Sequence, residues 1–558
     1  MIRKKTAIKE ATLALVCLGC LLVSNISWSQ GYADREPELS EEVFVHLSDH
    51  VLLAGDDVWM AIQVKIQGQA SPSVIAYMEL LDREGNPVKQ AMTGLVKGAG
   101  EGYLEIPENL GSDNYLLRVY TRNSPYMNPS KGIYHRILTV INPKLPPPNM
   151  VTQKEPLPTK IVNGNNPFIQ IEKETYGPRE QVRLTLKTGP SSYSLSVRQL
   201  SPFPDNRNKR IDAEAIYDPD EGEFDFIPEL YGHIIQGKSL SSHVDTTETF
   251  FLSAHGGQSS LFLARPFQNG NLFFETGSFK YFDYVIVQSA GSREQVDFML
   301  ESPFFPRRPN ENLQLPPLHL AESDKTFILD RLLARETKAY YYPDSAVPTA
   351  EALPFLNADR TYFLDDYNRF EDIATTLREY VPEVIVRRQD NKTYFRNYNQ
   401  PYGSMFKNDP LLLVDAMPVF DSDALSRLNP KGIKSLEVVS RYYFFQQEVF
   451  EGVISLTSFN NDFGEFELPR SALFIEYPGI QLPGKINDPA VSPDGKTRIP
   501  DFRHLLYWET GVKTDEVGER QVVFHTSEVP GFYEISLSYF DKEGRWNEST
   551  RTIEVKAP

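Results

Sequence analysis

Residues 408–458 read NDPLLLVDAMPVFDSDALSRLNPKGIKSLEVVSRYYFFQQEVFEGVISLTS. The apolar runs LLLVD, SLEVV and GVISLTS are short enough for buried strands, and polar turns separate them. Between the first two, residues 423–428 carry a brief helical pattern. The spacing therefore predicts a small α+β unit. Asp423 stands before Ala424-Leu425 as a helix cap, and capping accounts for Asp421 and Asp423 better than a metal or acid/base pair does. Four aromatics in a row, Tyr442, Tyr443, Phe444 and Phe445, cannot all face one side of a strand, because successive side chains alternate. At least two must point away from the core, which makes these four residues the candidate interaction surface.

Outward from this unit the chain is β-patterned. From Val43 to Pro143 short strands (VFVHL, VWMAIQV, VIAYMELLD, GYLEIP, NYLLRVYT, YHRILTVINP) alternate with turn-formers, the signature of an antiparallel sandwich over residues 38–145. A proline-rich linker follows at 146–164, starting with Leu145-Pro146-Pro147-Pro148. A second sandwich is expected over 165–295, interrupted by a long loop at 221–235. The acidic run from Asp218 reads as a solvated turn, since it lacks the ligand spacing of a calcium loop. Residues 296–368 form a linker with one helix, Asp324 to Tyr341, whose apolar positions Phe327, Ile328, Leu332 and Leu333 share helical spacing and whose cap is Asp324. Within that linker, Ser302 to Pro317 is expected to be extended. The α+β unit spans 369–460 and opens with a helix from Glu371 to Tyr380. A last sandwich is expected over 461–558.

Composition bounds function. Basic residues near Met1, an apolar run from Ala11 to Val23 and small residues near Ser29 predict a signal peptide over residues 1–29. Processing as a lipoprotein at Cys20 stays open. Residues 1–29 carry Arg3, Lys4, Lys5 and Lys9 against Glu10, so the net charge of −18 becomes −21 on the exported chain. Such a surface repels phosphate backbones, and nucleic acid is not an expected partner. Both cysteines, Cys17 and Cys20, lie in the signal, so disulfides and thiol chemistry are unavailable after cleavage. No later stretch approaches the roughly 20 apolar residues of a membrane helix. With no nucleophile elbow, phosphate loop or zinc spacing, no enzyme, cofactor or metal is expected. His46 and His50 read as structural.

Pro410 to Pro418, Asn429 to Val438 and Gly452 to Thr457 resemble, in order and spacing, three phrases of the plug domain of TonB-dependent outer-membrane receptors. The phrase YVPEVIVRR extends that resemblance back to about Phe370. HLSDHVLLAGDDVWM, FIPELYGHIIQGK and the stretch from Pro500 to Gly544 resemble the macroglobulin-like sandwiches of exported Bacteroidetes proteins. A receptor encloses its plug in a 22-stranded barrel, which at about 10 residues per strand needs more than 200 residues. Only 100 follow Ser458, so this chain is not the transporter. The expected class is mainly β and multidomain: immunoglobulin- or macroglobulin-like sandwiches plus one small α+β plug-like domain. The resemblance implies a non-enzymatic periplasmic protein at the outer membrane, whose plug-like domain docks on or gates a channel such as a type IX secretion translocon or a transporter. Its expected partner is an outer-membrane protein complex. The alternative is a protease-interacting or surface-binding protein without a thioester, with Ser302 to Pro317 as its exposed bait.

Overall fold

The computed structural model describes residues 40–147, 166–187, 192–207, 211–218, 227–290, 296–341, 356–482, 484, 499–513, 518–541 and 543–557. The expected signal peptide, most of the 146–164 linker and most of the acidic run after Asp218 lie outside these residues. The rest is a mainly β, multidomain chain: three sandwiches and one α+β unit.

The first sandwich is built from strands between Glu41 and Ile141. One sheet contains Glu41–Leu47, Asp57–Ile66, Gln69–Ala70 and Ala99–Glu105, and the other runs in the order Val51–Leu53, Ile133–Ile141, Asp113–Tyr120, Ile75–Leu81, Pro87–Gly94. Ala76, Met78 and Leu80 point into the core between these sheets. Their alternating neighbours Ile75, Tyr77 and Leu81 point outward into a second core shared with the third sandwich. Burial on both faces explains why VIAYMELLD is apolar almost throughout.

The expected second and last sandwiches are regrouped. Strand Gln181–Lys187 pairs with Glu519–His525, and Ser192–Gln199 lies between Leu505–Lys513 and Gly531–Phe540. Residues 166–199 and 505–555 therefore build one sandwich around a single core of Val182, Leu195, Phe524, Tyr533 and their neighbours. The third sandwich is made of strands between 234 and 300, with Leu473–Glu476 added at the edge of Tyr284–Ser289. Alternation marks which face of a strand is buried but not which strand lies beside it.

The domains are thus nested. The α+β unit is inserted into the third sandwich, which is itself inserted into the second. In the insert the sheet order is Arg360–Phe363, Ile433–Val439, Val453–Ser458, Leu411–Val414, Met417–Pro418, with Leu411–Val414 parallel to Val453–Ser458. Asp415 and Ala416 form the two-residue turn before Met417, both in the left-handed region (φ 46° and 63°). The cost for Ala416, on the order of 1 kcal/mol, is offset by burial of its methyl group against the third sandwich. Gly452 (φ 91°) is required, because a Cβ there would meet the Asn397 side chain and, at 2.7 Å, the Val439 carbonyl oxygen. Helix Ile373–Tyr380 is capped by Asp372, which accepts from the Thr375 N–H at 2.6 Å.

Three local expectations are corrected. The cap of helix Ser422–Ser426 is Asp421, which takes the Asp423 and Ala424 N–H groups. Asp423 instead accepts from Thr393 N–H and pairs with Arg427. Helix Lys325–Tyr341 agrees with its expected span, but Leu333 is 44% exposed while Phe327, Ile328 and Leu332 pack inward. Asp324, just ahead of the helix, accepts the Ala321 N–H. Finally, Ser302 to Pro317 is extended but not free. Arg118 donates to the carbonyls of Phe305 and Arg307 (2.8 and 2.7 Å), Arg83 holds those of Leu315 and Pro316, and Phe305 and Leu315 are buried. Arg118 is itself fixed by Glu79 at 2.5 Å. The segment is thus held near both ends, while Pro306, Glu311, Asn312 and Gln314 are exposed.

Candidate functional site: the aromatic hairpin and the interdomain cavity

The four aromatics fall on a small hairpin, Tyr443–Phe445 paired with Glu448–Phe450. Strand alternation divides them as the period of two requires. Tyr443 and Phe445 are stacked at 5.8 Å and half-buried against a cluster formed by Phe251, Leu261 and Leu263 of the third sandwich and Leu411, Leu413 and Val453 of the insert. Burial raises the Tyr443 hydroxyl above its usual range, Arg441 opposing. Phe444 points the other way and is 75% exposed; its cross-strand partner Val449 is 53% exposed. Tyr442 is partly exposed and meets Phe406 edge-on at 5.0 Å.

Polar ties fix the hairpin. Gln446 accepts the Leu263 N–H at 2.7 Å. Glu448 accepts from Arg265 at 2.5 Å and from the Thr249 hydroxyl. Burial works against ionisation of Glu448, yet these two donors hold its carboxyl below the usual range. The opposite face of the hairpin is thereby presented on a rigid base, with Phe444, Val449 and Tyr442 outward. Tyr402, 75% exposed, stands in the adjoining turn, whose Gln400 N–H bonds the Ser440 carbonyl.

The insert's sheet is also covered. The third sandwich uses Phe250, Leu252, Phe262 and Ala264 for its own core and the alternating Phe251, Leu261 and Leu263 for the insert. Ile286 reaches the insert's other core, and Gln288 donates to the Pro418 carbonyl at 3.1 Å.

A cavity of about 250 Å³ lies where the first sandwich, helix Lys325–Tyr341 and the segment 500–508 meet. Trp59, Phe502 and Trp508 form its apolar wall, and Asp56, Arg335 and Lys338 add charge. Burial pushes the Asp56 carboxyl up. The motif DFRHLLYW, residues 501–508, forms much of this wall. Its aromatic content was the one sign in the sequence that could have located the cavity, whose other walls come from residues more than 160 positions away. Among the described residues, no three His, Cys, Asp or Glu side chains gather in a group that could hold a metal. Also among them, no helix is long and apolar enough to cross a membrane, which says nothing of strands.

No protein-family model matches the chain, and no curated protein matches it. Solved structures give distant likenesses. Native α2-macroglobulin of Escherichia coli aligns over 93% of this chain and 40% of its own, at 9% identity and a TM-score of 0.25. The D0-D1 domain of intimin covers 45% of this chain and 90% of its own (10% identity, TM-score 0.15). Dimeric latent PorU of Porphyromonas gingivalis covers 93% and 34% (9%, TM-score 0.13). The chain thus spans about two fifths of the macroglobulin's length. Scores this low assign neither a family nor an activity.

Proposed function

We propose that this is an exported, non-enzymatic interaction protein of the periplasm, associated with the outer membrane, whose plug-like insert docks on the periplasmic side of an outer-membrane channel complex. The observation that carries this reading is the outward Phe444–Val449 pair, held on a base that Tyr443 and Phe445 seat against the third sandwich. Exposed aromatic groups on a fixed support suit a binding hot spot. Docking is favoured over entry into a barrel lumen because the third sandwich already covers one face of the insert's sheet. The experiment is capture of a β-barrel complex from detergent-solubilised outer membranes by the purified chain. The expected result is a defined partner retained by the native chain and lost from F444S/V449S, with the thermal midpoint unchanged. Equal retention by both proteins, or no membrane partner for either, refutes the reading.

A further inference from the structure

We infer that the junction between the first and second sandwiches is an acid-released latch, in which His46, His50 and His504 must all be uncharged for the two domains to stay docked. The inference rests on how differently the first sandwich is joined to its two neighbours. With the third sandwich it shares a large apolar core, including Ile75, Tyr77, Leu116 and Tyr120. With the second it shares none, since the two cores are separate clusters. Among the described residues, Phe203 reaches across in a small cluster with Val51, Leu53 and Ile141 of the first sandwich. What fills this junction is charge and hydrogen bonding, with an aromatic margin where Phe44 meets Phe540 and Trp546 at 5.2 and 5.6 Å.

The junction is densely charged. Arg136 of the first sandwich, Arg198 and Arg207 of the second and Arg331 of the helix face three carboxylates, Asp49, Asp205 and Glu534. Arg331 bonds Asp49 at 2.7 Å, Arg198 bonds Asp205 and Glu534 at 3.0 Å each, and Arg136 and Arg207 both bond Asp205. Lys338 stands beside His504, and Glu548 lines the pocket that holds His46 and His50. Arg335 and Asp56 line the cavity with His504, as do Arg503 and its partner Asp501, and Glu101 accepts from the Trp508 indole across the junction. These cations and anions are equal in number.

The histidines are set into this array. His46 is buried, with Nδ1 2.8 Å from the Ser194 hydroxyl and Nε2 3.3 Å from that of Ser196, both across the junction, and its ring 5.4 Å from that of Trp508. Arg198 and Arg207 face it. His50 is 5% exposed, and neither ring nitrogen has a hydrogen-bond partner. Its Nδ1 lies 3.6 Å from Asp49 and 3.9 Å from Asp205, against Arg198 and Arg136. His504 faces Arg331, Lys338 and Asp49, and its Nδ1 also has no partner. Charging the three rings would add three cations to an array whose charges already balance, with no added anion. Burial, reinforced by Arg198 and Arg207, lowers His46 to about 3. Burial and Arg198 lower His50 to about 4 despite Asp205 and Asp49. Burial and Arg331 lower His504 to about 3. Each ring is neutral when docked and returns towards about 6.5 when released. Docking is therefore complete above that value and weakens as pH falls through it.

The test is small-angle scattering of the full chain from pH 7.5 to 4, with far-UV circular dichroism on the same samples. The expected result is a rise in radius of gyration below pH 6.5 while the β spectrum is unchanged. H46Q/H50Q/H504Q should stay compact at the pH where the native chain is open. H50Q alone, which removes a ring making no hydrogen bond, should shift the opening to lower pH. Scattering and dichroism changing together, or opening of the native chain at the same pH as both variants, overturns the inference.

Discussion

Replacement of Asp415 by alanine should loosen the insert from within while leaving the three sandwiches folded. The carboxylate is 3% exposed and accepts three hydrogen bonds: from the Ser458 N–H at 2.7 Å, the Ser458 hydroxyl at 2.6 Å and the Phe463 N–H at 2.8 Å. It thus joins the turn after Leu411–Val414 to the end of Val453–Ser458 and to the loop beyond. Without it, two buried main-chain N–H groups have no acceptor, at about 1–3 kcal/mol each. The Ser458 hydroxyl keeps one role, accepting from the Asp462 N–H at 3.0 Å. The total is about 4 kcal/mol, or roughly a thousandfold in the opening constant at 1.4 kcal/mol per tenfold. Asp415→Asn keeps one acceptor oxygen and should cost about half.

Tryptophan fluorescence will not see this change, because the tryptophans are Trp28, Trp59, Trp508 and Trp546, none of them in the insert. Hydrogen exchange read by mass spectrometry will. Amides of residues 411–414 and 453–458 should lose about three decades of protection, and those of 75–81 and 531–540 should lose none. Unchanged protection in 453–458, or a loss spread equally over all domains, would refute the reasoning.

Arg331→Met removes the nearer of the two guanidinium groups on buried Asp49, leaving Arg198 at 3.7 Å, and should destabilise the helix contact by about 3 kcal/mol, the low end for a broken buried pair; adding Asp49→Asn should recover part of it. Trp59 and Trp508, which line the neighbouring cavity, make fluorescence-monitored denaturation the assay. Y443S/F445S should lower stability by about 2 kcal/mol per half-buried ring, roughly half the fully buried cost, whereas F444S/V449S should stay within about 0.5 kcal/mol of the native chain in urea titrations. Acid should destabilise the whole molecule in two stages. Burial opposes ionisation of Glu229, but His233, Arg122 and Tyr77 hold it below its usual range, so its contribution is complete above the unfolded value near 4 and is lost as pH falls further. Burial also lowers His135 and His255 to about 3, and that loss begins near 6.5. The thermal midpoint should be level between pH 8 and 7 and fall below 6.5; a maximum near pH 5 would contradict this.

Local pattern was informative wherever the physics was local. Alternation located six of the nine strands of the first sandwich, missing Val51–Leu53, Gln69–Ala70 and Pro87–Gly94, and helical spacing gave residues 325–341. The period of two divided Tyr442 to Phe445 into two pairs, but it could not say which pair meets the third sandwich, because that is decided by Phe251 and Leu261, over 180 positions earlier. The same limit hid the pairing of 181–187 with 519–525. Proline content read 302–317 as a linker, while what holds it is Arg118 and Arg83 donating to its carbonyls, and carbonyls are invisible in a residue pattern. Uninterrupted apolar strands such as FFLSA and LFLA were a clue to burial on both faces, and that double burial is what seats the insert.

The nesting bears on how the insert can act. Its C-terminal end leads into strand Leu473–Glu476 of the third sandwich, whose strand Phe250–His255 packs Phe251 against the insert and Phe250 and Leu252 into a core shared with the first sandwich. A load applied at Phe444 would therefore pass through Tyr443 and Phe445 into that strand, and from it to Tyr77 and Tyr120, without crossing a polar gap. Close-packed apolar contacts of this kind transmit strain with little compliance. On the proposed reading the insert is then a fixed arm that presents its aromatic face. Whatever motion accompanies docking belongs at the other junction, where the first and second sandwiches meet through charge instead of a shared core.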